Sequence, residues 1–559
     1  MKKHPVFAIL LAALLMVTAI PAWAAEGESA GEESRGVYIL YTSDVHCGYD
    51  QGFGYAGLWE IRNTLEREGY ETILVDDGDS IQGEASGTLT DGEAIIKLMN
   101  AMKYDIAIPG NHEFDYGMDR FLELVGMAEF PYISCNFRKD GELVFDPYKI
   151  VEAGGMKIAF VGVTTPQALT GATPAYFQNE NGEYIYDFCQ DDTGEALYDA
   201  VQKAVDAARA EGADYVYVMG HLGMESTAEP WTYYDVISHT DGIDEFLDGH
   251  SHDTEQVVMK NKAGKEIPRS AVGTKMNCIG YSLIDPKDGI KETNIWSWPN
   301  GKSAPELFNI ENEIREAVDS TNAALEETLS KVVAKSDVDL SIFDPVEKDA
   351  SGNPIRMIRR AETNLGDFCA DAVRIRSGAD IALMNGGAAR SDIKAGDITF
   401  GNIIDVHPFN NEVVVIEATG QQILDALEWG ARGVPDESGA FLQVSGLSYE
   451  VDASVKSGCL FDENSMFTGI EGERRVKNVK VGDEDLDPEK TYTVGGNNFL
   501  FLKNGDGFTM FNDAKVINQG VAIDNEVLID YIVEDLGGTI GEEYADLYGQ
   551  GRITVTDGE

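Results

Sequence analysis

From residue 37 onward, short apolar runs alternate with amphipathic stretches. The runs at 37–42, 72–75, 106–108, 157–163, 215–219 and 246–247 have strand length, which predicts largely buried strands. Between them, 58–68, 93–102 and 195–211 place apolar residues at helical spacing. Strands alternating with helices over 37–300 predict an α/β domain. The pattern then changes. Pro305 opens a Gly-free stretch with Leu307, Ile310, Ile314, Val318, Leu325, Leu329 and Val332 at roughly helical spacing, which predicts one connecting helix over 304–335. Residues 336–559 read as a second mixed α/β domain, with strands at 380–383, 412–417 and 491–494.

The first residues follow a different logic. Lys2 and Lys3 precede a 15-residue apolar run at 6–20, and Ala22-Trp23-Ala24 supplies a small-residue cleavage site. This predicts a signal peptide over 1–24 and an acidic, Gly/Ser-rich leader over 25–36. The run is short of the roughly 20 residues a spanning helix needs, and no later run is longer. A secreted or cell-envelope protein without a transmembrane segment is therefore expected.

Charge narrows the partners. The 559 residues hold 43 Lys+Arg against 97 Asp+Glu, a net charge of −54. Such a surface repels phosphate polymers and anionic lipid, so no nucleic-acid polymer is expected as partner. An anionic substrate requires local charge inversion by metal ions or a few Arg residues. The six cysteines are widely spaced, form no C-x-x-C pair and leave their pairing and the oligomeric state open.

Five expected strands end in residues that bind metals. The ends are Asp44-Val45-His46, Asp76-Asp77-Gly78-Asp79, Asn111-His112-Glu113, Gly220-His221 and His250-Ser251-His252. Carboxyl ends of successive strands converge on one sheet edge. Asp44, Asp79 and Asn111 offer oxygen, and His46, His221, His250 and His252 offer nitrogen. That mixed set suits Zn, Mn, Fe or Co rather than Mg alone. Seven ligands exceed one tetrahedral ion but serve two divalent ions if one carboxylate, Asp79, bridges them. Two ions about 3.5–4 Å apart clamp the attacking and leaving oxygens of a phosphoryl displacement. Singly, each residue is equally well a turn former or an ordinary surface or core His. Jointly they are not, because five of the chain's eight His fall in this constellation.

These motifs resemble the five motifs of the calcineurin-like metallophosphoesterases, and the likeness extends into the second domain. The whole resembles the secreted bacterial 5′-nucleotidases. That resemblance implies a four-layer α/β/β/α sandwich joined to the mixed α/β domain. It implies Asp44, His46, Asp79 and His252 around one metal, and Asp79, Asn111, His221 and His250 around the other. His112 is then the catalytic residue facing phosphate, oriented by Asp115. The family pattern commonly has Gly after the first His, where this chain has Cys47.

In the second domain, Arg359 and Arg390 stand beside turn motifs and read alone as surface ion pairs. Phe409 and Phe499 read alone as core. Asn385 and Asp506 sit in Asn-Gly-Gly and Asn-Gly-Asp-Gly turns. The resemblance turns the Arg residues toward phosphate, the two Phe toward the nucleobase and Asp506 toward the ribose hydroxyls. It implies a small-molecule nucleotide substrate. Cleavage of a UDP-sugar pyrophosphate or a 2′,3′-cyclic phosphate is the enzymatic alternative, and a nucleotide-binding surface protein with a dead metal site is the non-enzymatic one. The latter predicts a missing ligand, and none of the seven is missing.

Overall fold

Strand β1 (Val37–Thr42) is buried along its whole length, so it needs cover on both faces. The computed structural model, which describes residues 35–556 except 180, 225–227, 300–301, 349–351 and 519–520, shows what that cover is. The expected signal peptide and nearly all of the leader lie outside the described residues.

The first domain continues with β2 (Glu71–Asp76), β3 (Ile106–Ala107), β4 (Tyr148–Ala153), β5 (Met156–Thr164), β6 (Tyr215–His221), β7 (Glu245–Asp248), β8 (Thr254–Lys260), β9 (Glu266–Val272), β10 (Cys278–Asp285) and β11 (Gly289–Ser297). They form two sheets, ordered β11-β10-β1-β2-β3 and β8-β9-β7-β6-β5-β4. The two-residue period of a strand sends alternate side chains to opposite faces. Val37, Ile39 and Tyr41 face a core shared with Phe160, Tyr217 and Leu247 of the other sheet. Tyr38 and Leu40 face α1 (Gly54–Arg67) and α3 (Glu93–Met102), packing with Leu58, Ile61, Ile95 and Met99; α2 (Ala85–Thr90) lies between these helices in the chain. The outer face of the second sheet packs Val161, Val216 and Val218 on Leu197, Val201 and Ile237. These last belong to α4 (Glu195–Ala210) and α5 (Tyr233–His239). The layers are helix, sheet, sheet, helix, the expected four-layer sandwich.

The central strands are parallel, so their carboxyl ends align. Thr42 pairs with Asp76 across β1 and β2, and Asp76 with Ala107 across β2 and β3. Thr164 pairs with His221, and Gly220 with Asp248, in the other sheet. The metal-binding motifs therefore leave the sandwich at one edge. The strands β4, β8, β10 and β11 are antiparallel margins that the apolar runs did not announce, and β9 joins β8 to the parallel strands by pairing parallel with β7. β8 and β11 are mostly half-exposed, so they carry no apolar run.

The stretch 304–335 is not the single helix its spacing predicts. It is α6 (Ala304–Phe308), α7 (Glu313–Leu329) and the start of β12 (Val332–Ser336). Asn309 ends α6 in the left-handed conformation, φ 48°. The Asn312 side chain then caps α7 by accepting from the Arg315 N–H at 2.9 Å. Only Ile314 and Val318 of α7 are buried. The helix touches α1 and α3 on one side and α8 (Phe400–Val406) of the second domain on the other.

The second domain is built on β13 (Ile381–Asn385), β14 (Val413–Thr419), β15 (Leu442–Ser445), β16 (Thr491–Asn497) and β17 (Lys515–Asn518), ordered β15-β13-β16-β14-β17. β14 runs antiparallel to β16 with Val413 opposite Asn497, while β13 runs parallel to β16. The end of β13, the start of β14 and the end of β16 thus share an edge. That edge carries Asn385, Phe409 and Phe499. Among the described residues, hydrogen bonds tie the second domain to the first at several points. The Ala85 N–H donates to Asp405 Oδ1 at 3.0 Å, the Thr88 hydroxyl to the Pro408 carbonyl at 2.8 Å, and the Gln190 amide to Asn464 Oδ1 at 2.9 Å.

Candidate active site

The loops at the sandwich edge are strained where they carry ligands. Asp44, His46, Asp79, His250 and His252 all have φ between 45° and 81°. Non-glycine residues seldom occupy this region, and such residues cluster at functional sites. Two glycines permit the crowding. A Cβ on Gly110 would overlap Asp79 Oδ1 and lie 2.8 Å from His221 Nε2, and one on Gly249 would lie 2.7 Å from Asp44 Oδ2.

The seven expected ligands converge. His221 Nε2 is 3.0 Å from Asp79 Oδ2, and His252 Nε2 is 3.4 Å from Asp44 Oδ1. His46 Nε2 and His252 Nε2 face each other at 3.0 Å, and His46 Nε2 is 3.8 Å from Asp79. The ligand atoms of Asp44, His46 and His252 lie within 4.8 Å of one another, as do those of Asp79, His221 and His250. Asp79 reaches both groups. Asn111 is buried beside the second group, and its Oδ1 has no hydrogen-bond partner among the described residues. The same is true of His221 Nε2. Buried polar atoms normally have partners, so orphaned ones aimed at a ring of carboxylates and imidazoles fit a cation.

The outer ring nitrogens are fixed from behind. His46 Nδ1 lies 2.8 Å from the Gln82 carbonyl, and His221 Nδ1 lies 2.7 Å from that of Asp77. A carbonyl can only accept, so each Nδ1 is protonated and Nε2 is turned inward as the ligand atom. Burial lowers the pKa of His46, His252 and His250, the last to about 3, so these rings are neutral, as metal ligands must be. Burial opposes charge on Asp79, but the neighbouring His221 and His112 hold its carboxyl well below the ordinary range. Burial and the charge of Asp79 raise Asp44 to about 7, a repulsion that a cation between them relieves.

His112 is held at the same centre from another direction. Its backbone N–H donates to Asp79 Oδ1 at 2.8 Å, and its Nδ1 is 2.6 Å from Asp115 Oδ2. That leaves Nε2 for a ligand. The ring of Phe409, from the second domain, stacks on it with centroids 5.9 Å apart and planes at 29°.

A cleft of about 360 Å³ joins the domains here. It is lined by Asp79, Asn111, His112, Asp115, His250 and His252 from one side and Arg359, Asn385, Arg390, Phe409, Phe499 and Asp506 from the other. Arg390 makes no side-chain ion pair among the described residues, contrary to the surface-pair reading. Its guanidinium lies 5.8 Å above Phe409, and burial together with nearby Arg356 lowers it to about 10. Arg360, in contrast, pairs with Glu347. Phe409 and Phe499 line the cleft and are not sealed in the core. The Asn385 amide donates to Asp506 Oδ2 at 2.9 Å, so it holds that carboxylate in place.

Several residues of this site have no role in the motif reading. Glu113 is buried, and its carboxylate accepts from the N–H groups of Asp79 and Ser80, both at 2.8 Å, and of Gly110 at 2.6 Å. It ties two ligand loops together. Its place directly after His112 was the available signal. Asp248 accepts from Leu222 N–H at 3.0 Å and from buried Arg269 at 2.7 Å, fixing the loops of His221 and His250. The Gln167 amide oxygen lies 2.7 Å from His250 Nε2. Arg356 and Arg432 also line the cleft, and no motif marked them.

Residues 37–254 match the calcineurin-like phosphoesterase family, and residues 332–513 match the 5′-nucleotidase C-terminal domain. The chain belongs to the 5′-nucleotidase family of metallophosphoesterases. As a member it is a metal-dependent phosphoesterase. It is 27% identical over 574 residues to the 5′-nucleotidase of Vibrio cholerae, covering 94% of this chain and 95% of that one. It is 26% identical over 564 residues to the trifunctional nucleotide phosphoesterase protein YfkN of Bacillus subtilis, covering 92% of this chain but 34% of that longer protein. The solved structure of a 5′-nucleotidase precursor from Thermus thermophilus superposes with a TM-score of 0.76 at 26% identity, over 94% of this chain and 100% of that one. Among the described residues, no helix is long and apolar enough to cross a membrane.

Proposed function

We propose that this chain removes the 5′-phosphate from nucleotides at a two-cation centre, outside the cytoplasm. The observation that carries the reading is the pair of ligand groups with Asp79 between them, 3.8 Å from His46 and 3.0 Å from His221, set across one cleft from Arg390, Phe409 and Asp506. Asp44, His46, Asp79 and His252 would hold one cation, and Asp79, Asn111, His221 and His250 the other. Zn, Mn, Co or Fe suits this donor set. When bound, such cations polarise the phosphoryl oxygens and offset their charge.

The chain's own residues do the rest. Asp115 accepts from His112 Nδ1 and so aims Nε2 into the cleft, where it donates a proton or hydrogen bond to an oxygen gaining charge. Arg359 and Arg390 bind the phosphate, for which a guanidinium fork is suited. Phe409 and Phe499 take the base, and Asp506 accepts from the ribose hydroxyls. Phe409 also closes one wall against His112, which limits water near the phosphorus. Export rests on the sequence of residues 1–24.

Purified protein supplied with Mn²⁺, Co²⁺ or Zn²⁺ should release phosphate from AMP, GMP and UMP faster than from glycerol phosphate. UDP-glucose and 2′,3′-cyclic AMP belong in the same panel. Faster cleavage of either would replace the 5′-nucleotidase reading with the corresponding alternative.

A further inference from the structure

One cation in the cleft is unused by phosphate chemistry. Arg432 lies at the end of the cleft that holds Asp506, Ser438 and Gly439. Its guanidinium stacks on the indole of Trp429, 3.7 Å from the ring centroid. One of its five N–H donors is used within the described residues, donating from Nη1 to the Trp429 carbonyl at 2.8 Å. No carboxylate lies within ion-pair distance of it among the described residues.

The stack is rigid. Trp429 is buried, and its Nε1–H donates to the Asp506 carbonyl at 2.8 Å. The segment Gly505-Asp506-Gly507 runs between two aromatic rings. A Cβ on Gly505 would overlap the Phe499 ring, and one on Gly507 would meet Trp429 at 3.0 Å. Arg432 is thereby fixed relative to both Asp506 and Phe499, the residues assigned to ribose and base. Lys503, another cation of the cleft lining, lies 5.7 Å over the Tyr176 ring. Burial lowers Arg432 to about 10, with Asp506 opposing, so it stays cationic at neutral pH.

We infer that Arg432 is a specificity-determining residue that reads the hydrogen-bond acceptor edge of the nucleobase, so that oxopurine nucleotides are preferred over adenine nucleotides. The inference rests on the 5′-nucleotidase reading above. A guanidinium offers donors alone. Guanine and hypoxanthine present O6 and N7 as paired acceptors, which match its fork, whereas adenine presents a donating amino group beside N7. Placed opposite adenine, the fork loses one bond and meets a like donor.

The test compares kcat/KM for GMP, IMP, AMP and glycerol phosphate in wild type, Arg432→Met and Arg432→Lys, all Mn²⁺-loaded and matched for Tm. Wild type should favour GMP and IMP over AMP by roughly 5- to 150-fold, the discrimination of one bidentate Arg–base pair. Arg432→Met should bring that ratio close to one. Arg432→Lys, a single-point donor without the fork, should keep only part of it. Equal or AMP-favouring wild-type rates overturn the role of Arg432, as does a common loss on all four substrates in Arg432→Met. If no nucleotide outruns glycerol phosphate, the 5′-nucleotidase reading itself fails. The wild-type comparison alone decides the matter should Arg432→Met fail to fold.

Discussion

The Nδ1 of His112 is taken by Asp115, and its backbone is pinned to Asp79, so its Nε2 is left for the cleft and, in the proposed reaction, for the phosphate, without being needed by either proposed ligand set. His112→Ala should therefore keep both metals while kcat falls by roughly 10²- to 10⁴-fold, the range for a positioned acid–base group. Metal analysis beside kinetics checks this. Loss of a metal would make His112 a ligand instead, a role open to it because its ring nitrogen also lies within 4.8 Å of the ligand atoms of His46 and Asp79. In the proposed reaction Phe409 belongs to binding. Base stacking is worth about 1–3 kcal/mol, so Phe409→Ala should lose roughly 5- to 150-fold in kcat/KM on AMP, and far less on glycerol phosphate. Equal losses on both, with a large drop in Tm, would return Phe409 to the core. At this scale the sequence was informative because metal ligation permits few residue types, so seven ligand positions stood out jointly. Arg432 and Glu113 did not, since a lone Arg after a helix or a Glu in a turn has many ordinary uses.

At the scale of elements, what holds the site is the set of turns after β2, β3, β6 and β7. Glu113 satisfies three backbone N–H groups in two of these turns. Glu113→Gln keeps the shape but loses the charge and one acceptor. It should weaken metal affinity by roughly 10- to 100-fold, the usual cost of disturbing residues behind metal ligands, as read by chelator competition. Unchanged affinity would show that the turns hold their shape without it. The parallel strands were legible because burial on both faces makes them continuous apolar runs. The marginal hairpins β8–β9 and β10–β11 were not, because β8 alternates with solvent-facing positions and β11 is half-buried along most of its length. The connecting segment misled for a related reason. Helical spacing of apolar residues continues across 304–335, yet Asn309 and Asn312, a left-handed end and an N-cap, break it locally. Spacing reports which face is apolar, and capping residues report where a helix stops.

At the scale of the whole molecule, the domain junction carries a titratable contact. Asp405 accepts from the Ala85 N–H across the junction, and burial and the charge of Glu84 raise it to about 7. Between roughly pH 4 and 7 the folded chain therefore holds a proton that the unfolded chain, with an Asp pKa near 3.9, has released. Proton uptake is then greater in the folded state, so this contribution to stability falls as pH rises through that window. Asp405→Asn has no such proton, and its Tm should fall less than wild type's between pH 5 and 7.5. Parallel curves would remove Asp405 from this account. The same junction places Phe409 and Arg390 over the metal motifs, in a chain whose net charge of −54 would otherwise repel a nucleotide. The four-layer order and the facing of the two domains are long-range packing facts, which no local pattern carries and which the family resemblance supplied.

In the proposed reaction one carboxylate, Asp79, serves two cations that act together on a nucleotide phosphate. Metal content and AMP phosphate release in Asp79→Asn, measured beside wild type with and without strong chelator, test it most directly. Wild type should bind two equivalents of metal, lose activity to chelator and regain it with Mn²⁺, Co²⁺ or Zn²⁺. Asp79→Asn should lose occupancy at both positions and release little phosphate. Full activity in Asp79→Asn, or in wild type stripped of metal, would contradict the account.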